Sequence, residues 1–226
     1  MKFSDYKKEM LEANKVKDRK IDELSKVNAE YKAQITALED KLEDQCQYTR
    51  RESLVFSGDS IPETTVGEDC AAVICNLTRK VEPRLSIMPA EISIAHRLGS
   101  KPTSGTDKRS IIARFCRRKS KYDVLNAARK NKPTDLYVAE SLTPTKQKIT
   151  QALHKAKKMF PAKISGYTTI DGTVYAWIAP PNPSAPGAQN SRVKVNNMDR
   201  LEKLFQDILN LPVAHFLHKR TVVPDA

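Results

Sequence analysis

The sequence predicts an α+β chain in three parts: a coiled coil over residues 1–50, a β-α-β-β-α-β domain over 51–141 and a small basic α/β domain over 142–212. A tail follows at 213–226. Three observations carry this. Apolar residues recur with heptad spacing until about residue 42, and no Pro or Gly occurs before Gly58. Short strand and helix patterns, punctuated by Gly and Pro, then take over. An Asp171-Gly172 pair sits between two alternating segments near the end.

The heptad places Asn14, Ile21, Asn28, Ile35 and Leu42 at a positions and Met10, Leu24, Tyr31 and Leu38 at d. Alternating spacings of three and four keep such a stripe on one side of an underwound helix, where a second helix can cover it. The seam fits two or three strands. Asn at a fixes register at some cost in stability and leans toward parallel pairing. Ile21, Leu24, Asn28, Tyr31, Ile35, Leu38 and Leu42 are therefore the expected oligomerisation residues.

Leu54-Val55-Phe56 reads as the first strand of the middle domain. Thr65 and Glu68 form a capping-box pair ahead of a helix with Cys70, Val73, Ile74, Leu77 and Val81 on one face. "EISIAHRLG" is a second strand stopped by Gly99, residues 100–107 form a polar loop, and "RSIIARF" is a third strand. Ser120 with Asp123 caps the next helix, whose inward residues are Val124, Leu125 and Ala128. "DLYVAE" is the fourth strand. This order is a split-βαβ arrangement, shared by RNA-recognition domains. Ser110, Ile112 and Val55 stand where such a domain carries its stacking aromatics, while Ile111, Ala113 and Phe115 suit the core.

Thr143-Pro144 opens a helix, cap then proline at the first turn. Ile149, Ala152, Leu153, Ala156 and Phe160 form its apolar face, and Lys146, Lys148, Lys155, Lys157 and Lys158 occupy the other. A hairpin around Asp171-Gly172 follows, with Tyr167, Tyr175 and Trp177 at period two, read as core with base stacking as the alternative. After a Pro-rich loop come a short strand and an amphipathic helix with Leu201, Leu204, Phe205, Ile208 and Leu211 inward. The end of the tail, "HKRTVVPDA" at 218–226, is expected to be disordered.

Charge separates the parts. Residues 1–48 hold ten basic and eleven acidic groups, so the net +12 of the chain leaves +13 for residues 49–226. From Lys108 to Lys132 ten Lys or Arg accompany one acid, Asp123. Such a basic stretch in a folded segment points to a polyanion. With stacking aromatics missing from the expected strands, binding falls to Arg and Lys on phosphates. A hydrophobic content of 39% with mean hydropathy −0.54 suits a partly elongated chain.

Cys46, Cys70, Cys75 and Cys116 have no CxxC spacing; Cys70 and Cys75 read as buried thiols in a reducing, intracellular compartment. "HFLH" at His215 and His218 is a weak metal signal. There is no Gly-rich phosphate loop, no GxSxG and no HExxH, so neither an enzyme nor a cofactor is expected. The N-terminus lacks an apolar signal core and no membrane span is expected.

The order coiled coil, "RRESLVFSG", "ISIAHRLG", "RSIIARF", "VLNAARK", "ESLTP", "IDGTVYAWI" resembles the nucleic-acid-binding protein of the first open reading frame of LINE-type non-LTR retrotransposons. The likeness spans roughly residues 20–210. It implies an RNA-recognition-motif-like middle domain, a homotrimer through the coil, and a sequence-tolerant clamp on single-stranded RNA, with DNA as a second ligand. It also implies nucleic-acid chaperone activity within a cytoplasmic ribonucleoprotein that extends to the nucleus, with the element's endonuclease/reverse transcriptase as partner. By position the resemblance maps binding roles onto Arg50 and Arg51, Arg97, Lys108 and Arg109, Arg129, and Tyr167. Where mammalian members carry an arginine pair in the first C-terminal helix, this chain has Thr150 and Gln151, with Lys148, Lys155 and Lys158 as substitutes. The charge cluster adds Arg114, Arg117, Arg118, Lys119, Lys121 and Lys130. The rival expectation is a coiled-coil interaction protein whose basic half binds acidic proteins or anionic membrane.

Overall fold

The structure is a computed structural model that describes residues 3–62, 67–100, 108–180, 187 and 189–217. Thr65 of the expected capping box, most of the 100–107 loop, most of the Pro-rich loop, His218 and the end of the tail lie outside the described residues. The chain divides into two compact units, residues 1–44 and 45–226. A long N-terminal helix is followed by two antiparallel sheets, a mixed α+β architecture.

Helix α1 runs Phe3–Arg50 without a break, as the absence of Pro and Gly dictates. Within residues 3–44 its apolar stripe is solvent-exposed: Ile21, Leu24, Tyr31, Ile35, Leu38 and Leu42 all stand open. No described helix is long and apolar enough to cross a membrane.

The second unit contains β1 (Ser53–Ser57), α2 (Cys70–Val81), β2 (Ile92–Arg97), β3 (Ile111–Phe115), α3 (Arg118–Asn131) and β4 (Tyr137–Glu140) in that order. These strands form a four-stranded sheet ordered β2-β3-β1-β4. Every neighbouring pair is antiparallel. Alternation along each strand sends Leu54, Phe56, Ile111, Ala113, Phe115 and Val138 to one face. There they pack with Ile74, Leu77, Val124 and Leu125 of the two helices. The other face carries Val55, Ile112 and Ala139, which stand side by side in the register.

Helix starts differ from expectation. Asp69 caps α2, its carboxylate accepting from the amides of Ala71 and Ala72 at 2.9 and 3.1 Å. Ser120 does not cap α3. The Cys116 amide bonds to the Glu91 carbonyl straight after β3, so the chain turns early and α3 begins at Arg118. Ser120 then falls in the first turn and donates to Glu91 at 2.7 Å.

The rest of the unit is α4 (Pro144–Met159), β5 (Ile164–Ile170), β6 (Thr173–Ile178), β7 (Ser191–Val195), α5 (Met198–Leu209) and α6 (Ala214–Leu217). Thr143 caps α4 as its sequence suggests, accepting from the Lys146 amide. The sheet is ordered β5-β6-β7. Asp171 and Gly172 have φ of 51° and 73°, both positive as a tight hairpin turn demands. One expectation fails here. Val174 and Ala176 face the core, so period two turns Tyr175 and Trp177 outward, where the Arg192 guanidinium lies 4.8 and 5.9 Å from their rings. After α5, Val213 and Phe216 are buried in the second core, Phe216 edge-on to Phe205 at 4.8 Å between centroids, and the segment expected to be disordered, 218–226, lies outside the described residues.

Candidate nucleic-acid interface

The two cores of the second unit are joined by polar side chains that neither sheet needs for itself. Glu140 ends β4 on the buried face, next to Leu54 in the register. A carboxylate there requires a counter-charge and donors. Lys121, from the first turn of α3, supplies the charge; its side chain is 1% exposed and forms an ion pair with Glu140. A second carboxylate, Asp171 of the hairpin turn, lies 3.5 Å from the same ammonium. The Glu140 carboxylate also accepts from the turn amides, Asp171 at 3.0 Å and Gly172 at 3.3 Å. Burial, followed by its hydrogen bond to Asp171, pushes the Tyr122 phenol up to about 12.

Gln47, on the last turns of α1, completes the joint. Its amide donates to the Ser141 carbonyl at 2.9 Å and accepts from the Thr143 amide at 3.0 Å. It packs so closely on the hairpin that a Cβ on Gly172 would collide with the Gln47 side chain. Glycine is required there twice over, for its positive φ and for this approach.

Between the two sheets lies a cleft of about 870 Å³. Arg129 and Lys132 reach it from the end of α3, Lys157 and Lys158 from α4, and Tyr137 and Tyr167 from β4 and β5. Tyr167 pairs with Ala176 in the hairpin register and so faces α4. There its hydroxyl lies 3.3 Å from Nδ1 of His154. Burial, and then the nearby Tyr137 phenol, raise its pKa. Arg129 donates to the Thr169 carbonyl at 2.9 Å and to its hydroxyl at 3.2 Å, both through Nη2, so its other guanidinium N–H groups take no part in that contact.

The expected binding residues separate into groups. Arg129, Lys158 and Tyr167 meet in the cleft. Arg117, Arg118 and Lys119 are exposed at the opposite end of α3. Their distance from Arg129 along the helix is roughly 15–18 Å at 1.5 Å per helical residue. No acid occupies that first turn, so the cations stand against the helix dipole. Arg114 is exposed beside Glu52 at 3.2 Å, Lys108 donates to the Asp59 carbonyl, and Arg109 is half-buried. Arg51 stacks over Tyr48 at 3.5 Å, while Arg50, Lys130 and Lys148 are exposed. Lys155 is half-buried on α4.

Two expected contacts are corrected. Lys121 is consumed by Glu140 inside the molecule and cannot reach a phosphate. The side chain of Arg97 is 6% exposed and paired with Glu68, its Nε donating at 2.8 Å, with a further bond to the Arg109 carbonyl at 2.8 Å. It fastens the end of β2 to the segment before α2. Of the cysteines, Cys75 is buried and Cys70 half-buried, and burial raises both thiols; all four are free.

Sequence reading did not single out Gln47, Glu140, Asp171, Lys132, Tyr137 or His154 as parts of this arrangement. One signal for the buried pair was available: Glu140 and Asp171 are the acids that bracket the acid-free stretch from Ser141 to Ile170. No protein-family model matches the chain, and no curated protein matches it significantly in sequence.

Proposed function

We propose that this protein is an oligomeric, sequence-tolerant single-stranded RNA-binding protein with nucleic-acid chaperone activity, of the kind encoded by the first open reading frame of LINE-type retrotransposons. The observation that carries the reading is the cleft between the two sheets, with lysines and arginine on both walls and a tyrosine from each sheet. Phosphates would be held by Arg129, Lys132, Lys157 and Lys158, and the strand would continue to the cationic first turn of α3. An anion at that turn relieves both the mutual repulsion of Arg117, Arg118 and Lys119 and their clash with the helix dipole.

The β2-β3-β1-β4 order and the β-α-β-β-α-β chain order support an RNA-recognition-motif-like domain. The exposed seam of α1 supports self-association, with the trimer resting on the family resemblance. Joining several modest sites through a coil multiplies affinity by raising effective concentration. Individual phosphate contacts still release quickly, which is what strand exchange by a chaperone needs.

Fluorescence anisotropy of a labelled single-stranded RNA across a salt series tests the reading. Tight binding is expected, with log affinity falling by about 0.7 per phosphate for each decade of salt. Replacing Arg117, Arg118, Arg129 and Lys158 by Ala should flatten that slope by up to about three. Negligible binding at low salt by folded protein would overturn it. Binding of acidic polypeptide in place of RNA would put a protein-interaction role ahead.

A further inference from the structure

An ordinary RNA-recognition sheet stacks bases on aromatics of its first and third strands. Here those outward positions hold Val55 and Ile112, which cannot stack. The aromatic capacity stands elsewhere. Along β4, Val138 and Glu140 are buried, so alternation turns Tyr137 and Ala139 to the opposite face. Tyr137 is 64% exposed there and lines the cleft. Beside it Ala139 and Val55 pair in the register and make a flat apolar floor. Across the cleft stands Tyr167, close enough for the two phenols to influence each other.

We infer that Tyr137 is the base-contacting residue of this cleft: its ring stacks on an unpaired nucleobase whose flanking phosphates lie on Arg129, Lys132, Lys157 and Lys158. The inference rests on the single-strand reading above and deepens it by naming what distinguishes the ligand from any other polyanion. A π-face accepts every base, so contact with Tyr137 adds affinity without adding a sequence code. It also excludes duplex, whose bases have no free face. A tyrosine is a good strand former on a solvated face for bland reasons, but that account does not place it between four cations and a second tyrosine.

The test compares two strands of equal charge: a single-stranded RNA and an abasic sugar-phosphate strand of the same length. Wild-type protein should bind the base-bearing strand about tenfold more tightly, the scale of one or two stacked bases. Tyr137→Ala should remove most of that preference while leaving abasic affinity and the salt slope unchanged. Tyr137→Phe should keep it, because stacking needs the ring and not the hydroxyl. A full preference retained by Tyr137→Ala, or an equal loss on both strands, overturns the assignment. Equal, salt-sensitive binding of both strands by the wild type overturns it too, yet leaves the RNA-binding function standing. No binding of either strand by folded protein overturns both.

Discussion

In residues 3–44, Leu38 and Leu42 stand 63% and 60% exposed; in the second unit the lysine at 121 has a side chain 1% exposed. Judged by hydropathy alone, the assignments are reversed. The difference is one of available surfaces. A single helix has no facing surface within itself, so its apolar stripe is left uncovered. Lys121 sits where the hairpin adds Asp171 to the Glu140 carboxylate of β4, and the attraction within that dry joint offsets the cost of leaving water. Burial in this protein follows the partner, and the side chain's own polarity decides only how exacting that partner must be.

The largest effect should come from denying the helix its partner. Each apolar seam residue covered on association contributes about 1.5–3 kcal/mol. Ile35→Asp with Leu38→Asp is therefore expected to convert an oligomer to a monomer in light scattering. Thermal unfolding of residues 45–226 should be unchanged. An oligomer that survives both charges would mean that the seam is not the interface, and that its exposure has another cause.

Removing the partner of the buried lysine should cost next most. Glu140→Ala leaves the buried ammonium only the Asp171 carboxylate at 3.5 Å and strands two turn amides, and a loss of about 3–5 kcal/mol is expected in urea denaturation. Lys121→Met together with Glu140→Gln removes both charges and keeps an acceptor for the Asp171 and Gly172 amides. Most of the loss should return. If the double variant is as unstable as the single one, charge pairing is not what holds the joint.

Glu91 lies between the extremes, partly exposed and partly bonded, and should give the smallest effect. The Ser120 hydroxyl and then the Met88 amide hold its carboxyl below the usual range. A lowered acid contributes stability that is present above its unfolded pKa and lost as pH falls through the folded one. Glu91→Gln should flatten the acid limb of stability against pH below the ordinary carboxylate range, with little change near neutrality. An unaltered acid limb would show that Glu91 is not among the groups that titrate on unfolding there.

What the sequence makes legible follows the same lesson. Helices and strands were readable where period and punctuation agree: the heptads with no Pro or Gly among them, Asp171-Gly172, and Thr143-Pro144 with its helix. Ile111, Ala113 and Phe115 were readable as core because alternation leaves them no other face. Lys121 was not, since its environment is made by Glu140, 19 residues on, and by a turn further still. Gln47 bonds to residues 94 and 96 positions away, and no local pattern marks such a side chain. Phe216 is a lone aromatic after a proline, which reads as tail until α5 offers Phe205. The basic stretch was legible as charge but not as geometry, because α3 carries its two ends to different places.

Glu140 also sets a timetable. Protein synthesis delivers Lys121 and Glu140 well before the turn amides that the carboxylate will accept, which lie 31 and 32 residues downstream. Until the ribosome releases them, the four-stranded sheet holds a carboxylate on its inner face with only a lysine to match it. The second sheet therefore arrives as the missing wall of the first, and the donors that complete the Glu140 site come with it. A fragment ending at residue 141 would halt at that unfinished stage.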